Sequence, residues 1–243
     1  MKEAREHLQE RYAAYAAGGQ AERETSLSLD LLSRFVLSEG EAEEVRKGAL
    51  LALLSLLDRQ PAGHTTGQTN GTRNGEAKAA LKEVLGARIP HALKQFAAGA
   101  LCSRGAEGRG EETADILLFL ILRGSLLYRK ELLIALGQTA APDNAKATEL
   151  LHRFLRYGDQ HTKHAAAIAA GFFGNEGLVP DLVYCLQKET NETVLLPVAE
   201  ALGRLRSPSA RGALEHVAET IPSEAVRQKA RDALQALEQT RRG

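Results

Sequence analysis

A chain of 243 residues in which 31 Lys and Arg stand against 31 Asp and Glu has no formal net charge, so no bulk attraction draws it to nucleic acid or to an anionic membrane. Aromatic residues make up 5% of it and Trp is missing, while Ala and Leu dominate, a balance that favours helix over extended sheet. Two cysteines far apart, Cys102 and Cys185, read as reduced, buried thiols of a cytoplasmic protein and not as a disulfide framework.

In chain order, 2–16 is a charged amphipathic stretch with Glu3, Arg5, Glu6, Glu10 and Arg11. It predicts an N-terminal capping helix, and its lack of an apolar region argues against a secretion signal. Helix pairs are then predicted near 24–38/42–58, 76–86/90–103, 110–123/126–138, 143–157/160–173, 176–189/192–205 and 208–220/223–239. Ser38 with Glu41 has capping-box spacing, and Ser207 before Pro208 reads as an N-cap followed by proline at the first helical position. Between the pairs, 60–75 carries Gly at 63, 67, 71 and 75 with almost no apolar residue, so it reads as a flexible insertion, and 104–110 reads as a shorter loop. The longest apolar stretch, 116–122, ends at Arg123, well short of the roughly 20 residues a membrane span needs. No span is expected.

The pairs repeat. VLLPVAEALGRL at 194–205 matches VRQKARDALQAL at 226–237 at Val, at the Ala-Leu pair and at the last Leu, with an offset of 32. Taking the residue after each small-apolar pair as a marker gives Leu54, Gly99, Gly137, Gly171, Gly203 and Gln235, spaced by 45, 38, 34, 32 and 32. Small residues at and beside the markers, Gly99, Gly137, Gly171 and Gly203 among them, predict close approach of neighbouring second helices, which offsets the ~1 kcal/mol a helical glycine costs. One pair cannot cover its own apolar faces, so the reading is an all-α protein, an α-solenoid or superhelix of about six antiparallel helix pairs, forming a single domain over 1–243. The last helix should turn Arg227, Lys229, Arg231, Asp232 and Glu238 to its open side.

The order of helix, short turn, Val-Arg, then Ala-Leu-Gly-x-Leu resembles HEAT repeats over about 24–239, and the period near 32 is similar to the short bacterial type named after phycobilisome lyases. Val45-Arg46, Val226-Arg227 and 201–205 carry the resemblance best; His91, Lys163 and Leu195 stand where Arg is usual. The signatures of tetratricopeptide and ankyrin repeats are missing. In HEAT repeats the recurring cation usually pairs with an acid of an adjoining repeat. Here Arg46, His91, Arg129, Lys163 and Arg227 therefore form either a ladder of ion pairs or, with Lys47, Lys94, Lys130 and His164, a binding ridge on the concave side.

No catalytic constellation emerges. His152, His161 and His164 invite a metal, but only Asp159 stands near as a further ligand, and solvated helix-start histidines are the plainer reading. The His-Glu pairs of HEAT-fold iron hydroxylases are missing, 60–75 lacks Gly-Lys-Ser/Thr, and neither cysteine has an evident activating histidine. Residues 1–60 carry 8 basic and 11 acidic side chains and 61–110 carry 7 and 3, too sparse a basic patch for nucleic-acid recognition. The leading expectation is a protein–protein scaffold or adaptor with no cofactor and no metal. The resemblance implies a second reading, a bilin lyase or lyase-like chaperone of phycobiliproteins, and nucleic-acid binding comes third.

Overall fold

A computed structural model describes residues 1–17, 27–57, 69–105, 110–123 and 129–242. The fold class is the all-α solenoid: thirteen α-helices and no strand among the described residues. Contacts group the chain into two compact units, Met1–Arg104 with Glu112–Arg123, and Gly105–Glu111 with Gly124–Gly243.

The first unit holds α1 (Lys2–Ala16), α2 (Leu29–Leu37), α3 (Glu43–Ser55), α4 (Thr69–Gly86), α5 (His91–Gly105) and α6 (Glu111–Arg123). Its centre is α3, in which every residue from Gly48 to Ser55 is buried, as expected of a helix that is apolar all round. α1, α2 and α4 cover it. Gly48 lets α1 come close, because a Cβ there would stand 2.7 Å from the carbonyl carbon of Leu8. Arg11 reaches in from α1 and donates to Ser55 Oγ at 2.9 Å.

The second unit holds α7 (Arg129–Thr139), α8 (Ala145–Tyr157), α9 (Gln160–Phe173), α10 (Val179–Lys188), α11 (Glu192–Leu205), α12 (Arg211–Thr220) and α13 (Glu224–Arg242), with single 3-10 turns at Glu176–Leu178 and Pro208–Ala210. The second helices α7, α9, α11 and α13 pack in one row and the first helices α8, α10 and α12 in another. Glycine fixes the register of the second row. A Cβ on Gly137 would stand 2.7 Å from Cα of Ala169, one on Gly171 3.1 Å from Cα of Ala201, and one on Gly203 3.0 Å from Cα of Ala233. Each alanine lies two residues before the next marker, and α13 carries exposed Gln235 at its own.

Caps mark the helix starts. Asn144, Asp159 and Asn191 accept from the backbone N–H of Ala147, Thr162 and Thr193 at 3.0, 2.7 and 2.9 Å. Asn191 also donates from Nδ2 to Gln160 Oε1 at 2.7 Å, tying one repeat to the next. Pro197 lies inside α11 and brings no N–H, which frees the carbonyl of Thr193 four residues back. His164 of α9 supplies the missing bond, its Nδ1 donating to Thr193 O at 2.6 Å.

Four expectations are corrected. Ser38 and Glu41 form no capping box: α3 starts after Ala42, and Glu41 instead accepts from Arg5 Nη2 at 2.6 Å. The helix expected at 76–86 starts at Thr69, so backbone helix overrides the poor propensity of the glycines there; 58–68 of the insertion, like 106–109 of the shorter loop, lies outside the described residues. Gly99 makes no close approach, since a Cβ there would meet nothing within 4 Å. Lys229 is not on an open side, for its Nζ lies 3.6 Å from Glu200 Oε2 of α11.

Candidate functional site

Along the second helices of the second unit, the side chains that escape full burial recur at helical spacing: Lys130, Ile134 and Gln138 on α7; His164, Ile168 and Phe172 on α9; Leu196, Glu200 and Arg204 on α11. Counted from the markers, these positions coincide from helix to helix, so they line one face. Ile134, Ile168, Phe172 and Leu196 give its middle an apolar character. Most exposed positions of α8, by contrast, are polar, with Lys146, Glu149, His152 and Arg153, although Tyr157 at its end is exposed as well.

The same face carries an open groove of about 550 Å³ between α11 and α13. Gly203, Ala233 and Ala236 contribute small side chains, and Glu200, Arg204, Arg206, Lys229 and Asp232 bring charge. Arg204 donates from Nη2 to Glu200 Oε1 at 2.8 Å, and its guanidinium lies 4.3 Å from the ring centroid of Phe172. Asp232 Oδ1 accepts from Gln228 Nε2 at 2.9 Å.

The cations singled out in the sequence fall into several settings. Arg46 is buried and donates from Nε to Val36 O at 2.9 Å, closing the end of α2. Arg227 repeats that role, with Nη1 donating to Ile221 O at 3.3 Å just past α12, and it pairs with Glu224. Lys163 pairs with Glu189 across repeats at 2.5 Å. Lys47 pairs with Glu43 at 2.6 Å and sits 5.1 Å from the ring of Tyr12 and 5.6 Å from that of Phe96. That pairing raises Lys47 above the ordinary lysine range and lowers Glu43. Arg129 lies 5.5 Å from the ring of Phe154, Lys130 is exposed, Lys94 is half-buried, and His91 is exposed at the start of α5.

The histidines do not converge. His152 Nδ1 donates to Asp181 Oδ2 at 2.7 Å, beside Arg156 Nε on Oδ1 at 2.5 Å, while His164 serves Thr193. Among the described residues no group of three His, Cys, Asp or Glu is placed to hold a metal ion. Cys185 is buried and donates from Sγ to Leu155 O at 3.0 Å, and burial pushes its thiol up to about 11, the opposite of an activated nucleophile.

Residues 147–235 match the family of HEAT repeats. The match runs from α8 into α13 and takes in the contacts of Gly171 and Gly203 and the Asn191–Gln160 bond between repeats. Among solved structures the chain is similar to human deoxyhypusine hydroxylase in complex with glycerol, at 17% identity and a TM-score of 0.37, over 87% of this chain and 96% of that one. No curated protein matches the sequence. Among the described residues no helix is long and apolar enough to cross a membrane.

The apolar face and the groove escaped the sequence reading, which looked for charge at the helix starts. The signal of the face lay three residues before Gly137 and Gly171, at Ile134 and Ile168, with Phe172 one after Gly171 and Leu196 seven before Gly203.

Proposed function

We propose that the protein is a non-catalytic docking scaffold for another protein, with the second-helix face of the second unit as its binding surface. The observation that carries this reading is the set Ile134, Ile168, Phe172 and Leu196, apolar side chains left half-exposed on the shared face of three neighbouring second helices. A core would bury them, and together they make a contiguous apolar patch rather than single scattered residues. Glycine-to-alanine contacts hold these helices at fixed spacing, which lowers the ordering cost of binding. HEAT repeats generally mediate protein interactions. The 32-residue period of the last repeats supports the short phycobilisome-lyase type as the finer repeat class. Of the predicted ridge, Lys130 and His164 border the apolar patch and belong to its rim, whereas Arg46, Lys163 and Arg227 act within the fold.

The test is capture from native extract with the wild-type chain and with Ile168→Glu combined with Leu196→Glu. Both proteins should melt at closely similar temperatures, because the substituted positions are half-exposed. A partner held by the wild type and lost by the variant is the expected result. Equal capture by both, or no specific partner for the wild type under gentle conditions, refutes the reading.

A further inference from the structure

We propose that the groove between α11 and α13 receives a single carboxylate from an extended acidic segment of a partner protein, with Arg206 as its receptor. This rests on the docking reading above and names the partner's chemistry.

Arg206 ends α11 at φ 53 and ψ 27, the left-handed region, and no other non-glycine residue among those described has positive φ. One repeat earlier the same position, three after the marker, is Gly174 at φ 77. A side chain with a Cβ is disfavoured there, and the cap does not require it, because the bond closing the helix runs from the backbone N of Arg206 to Leu202 O at 3.1 Å. An unfavourable backbone conformation kept where glycine serves in the neighbouring repeat points to a use for the side chain. That side chain lines the groove, and its guanidinium has no partner among the described residues.

The charges of the groove define what fits. Arg204, Arg206 and Lys229 face Glu200 and Asp232, and Glu200 already takes both Arg204 and Lys229. One positive charge, that of Arg206, stays unmatched. A carboxylate brings one negative charge and two oxygens that suit the guanidinium fork. A phosphate monoester or a nucleic-acid backbone brings more charge against Glu200 and Asp232. Ala236 adds little bulk to the groove, so an extended segment meets no large side chain there, and Arg204, fixed on Phe172 and Glu200, borders that path.

The experiment selects a phage-displayed random peptide library on the full-length protein and measures recovered peptides by fluorescence anisotropy against wild type, Arg206→Gly and Ile168→Glu. The expected peptides share one Asp or Glu at a fixed place. Arg206→Gly weakens them roughly tenfold, the usual weight of a charge-assisted hydrogen bond. Its melting temperature stays equal or rises, because glycine suits φ 53. Changing the shared Glu to Gln costs wild type the same factor and costs Arg206→Gly nothing more. Equal affinity for wild type and Arg206→Gly, or tighter binding when phosphoserine replaces the acid, overturns the assignment. Peptides lost by Ile168→Glu but kept by Arg206→Gly overturn it while leaving the docking reading intact; a library that yields no peptide defeats both.

Discussion

In the second unit neighbouring second helices meet backbone to backbone, Gly137 on Ala169, Gly171 on Ala201 and Gly203 on Ala233. In the first unit α1 meets α3 at backbone level too, Gly48 on Leu8, but α3 and α5 are joined through side chains, with Lys47 set against Phe96, and Phe96 lies edge-on to Tyr12 and Tyr15 of α1 at 5.8 and 5.6 Å. The two solutions have different tolerances. A backbone contact fixes register within a fraction of an ångström, whereas long side chains bridge a range of separations; the markers joined by backbone contact follow one another at 34, 32 and 32, while the spacings of 45 and 38 upstream take in 60–75 and 104–110.

Adding one methyl group to the tightest contact of the second unit is the most direct way to break that contrast. Gly137→Ala should cost about 3 kcal/mol, the upper part of the range for overpacking, because the atoms it meets are backbone and cannot rotate away. Gly203→Ala, whose Cβ would stand 3.0 Å from Cα and Cβ of Ala233, should cost nearer ~1 kcal/mol. Urea unfolding of both variants checks the order, and equal tolerance at the two positions would remove closeness of backbone approach as the cause of the cost. The counterpart in the first unit is Phe96→Ala, which deletes two edge-on ring contacts and one cation–ring contact. It should cost about 2 kcal/mol, less than a fully buried Phe because Phe96 is only half-buried.

Legibility followed the same divide. The starts of α8, α9, α11 and α13 were readable to within two residues, because the repeated Val, Ala-Leu pair and glycine marker are local signals with one physical meaning; α10 and α12 start three residues late, behind their 3-10 turns. Gly99 misled, since a glycine in a marker position says that close approach is permitted and not that a neighbour uses it. Gly48 went unnoticed because its partner, Leu8 of α1, belongs to no repeat. At the candidate site, Arg206 gave no signal of its own: its backbone conformation is set by where α11 ends, and its lack of a partner depends on Glu200 already being taken.

A third test takes the backbone-level bonding of the second unit at its least expected point. His164→Ala leaves Thr193 O without its donor and should cost about 1 kcal/mol, since Thr193 is exposed and water partly compensates. In the Pro197→Ala background the new N–H can reach Thr193 O within α11, so the same histidine change should then cost close to nothing. A double-mutant cycle that shows simple additivity would mean the ring and the proline act independently.

Helix starts sharpen the comparison further, because α3 begins at Ala42 with no side-chain cap while α9 begins at Asp159. Asp159→Ala should cost about 1 kcal/mol at neutral pH. The backbone N–H and hydroxyl of Thr162 hold the Asp159 carboxyl below its ordinary 3.8, so its contribution is fully present above that value and is lost as pH falls through the lowered one. Variant and wild type should therefore converge in acid, and Asp159→Asn, which keeps the acceptor, should flatten that arm. Arg5 lowers Glu41 in the same way in the first unit, so some acid sensitivity should survive every Asp159 variant.

The smallest effect has the opposite sign. Gly99 lies inside α5, exposed, with nothing within 4 Å of a Cβ placed there, so an alanine gains helix propensity and meets no clash. Gly99→Ala should stabilise the protein by up to ~1 kcal/mol, read as a higher urea midpoint with an unchanged slope. Set beside Gly137→Ala, it asks whether two glycines alike in sequence, each following an Ala-Leu-like pair, are separated only by the presence of a neighbouring backbone. A destabilised Gly99→Ala would show that α5 has a close neighbour after all, and the claim that the first unit joins its second helices through side chains would fail with it.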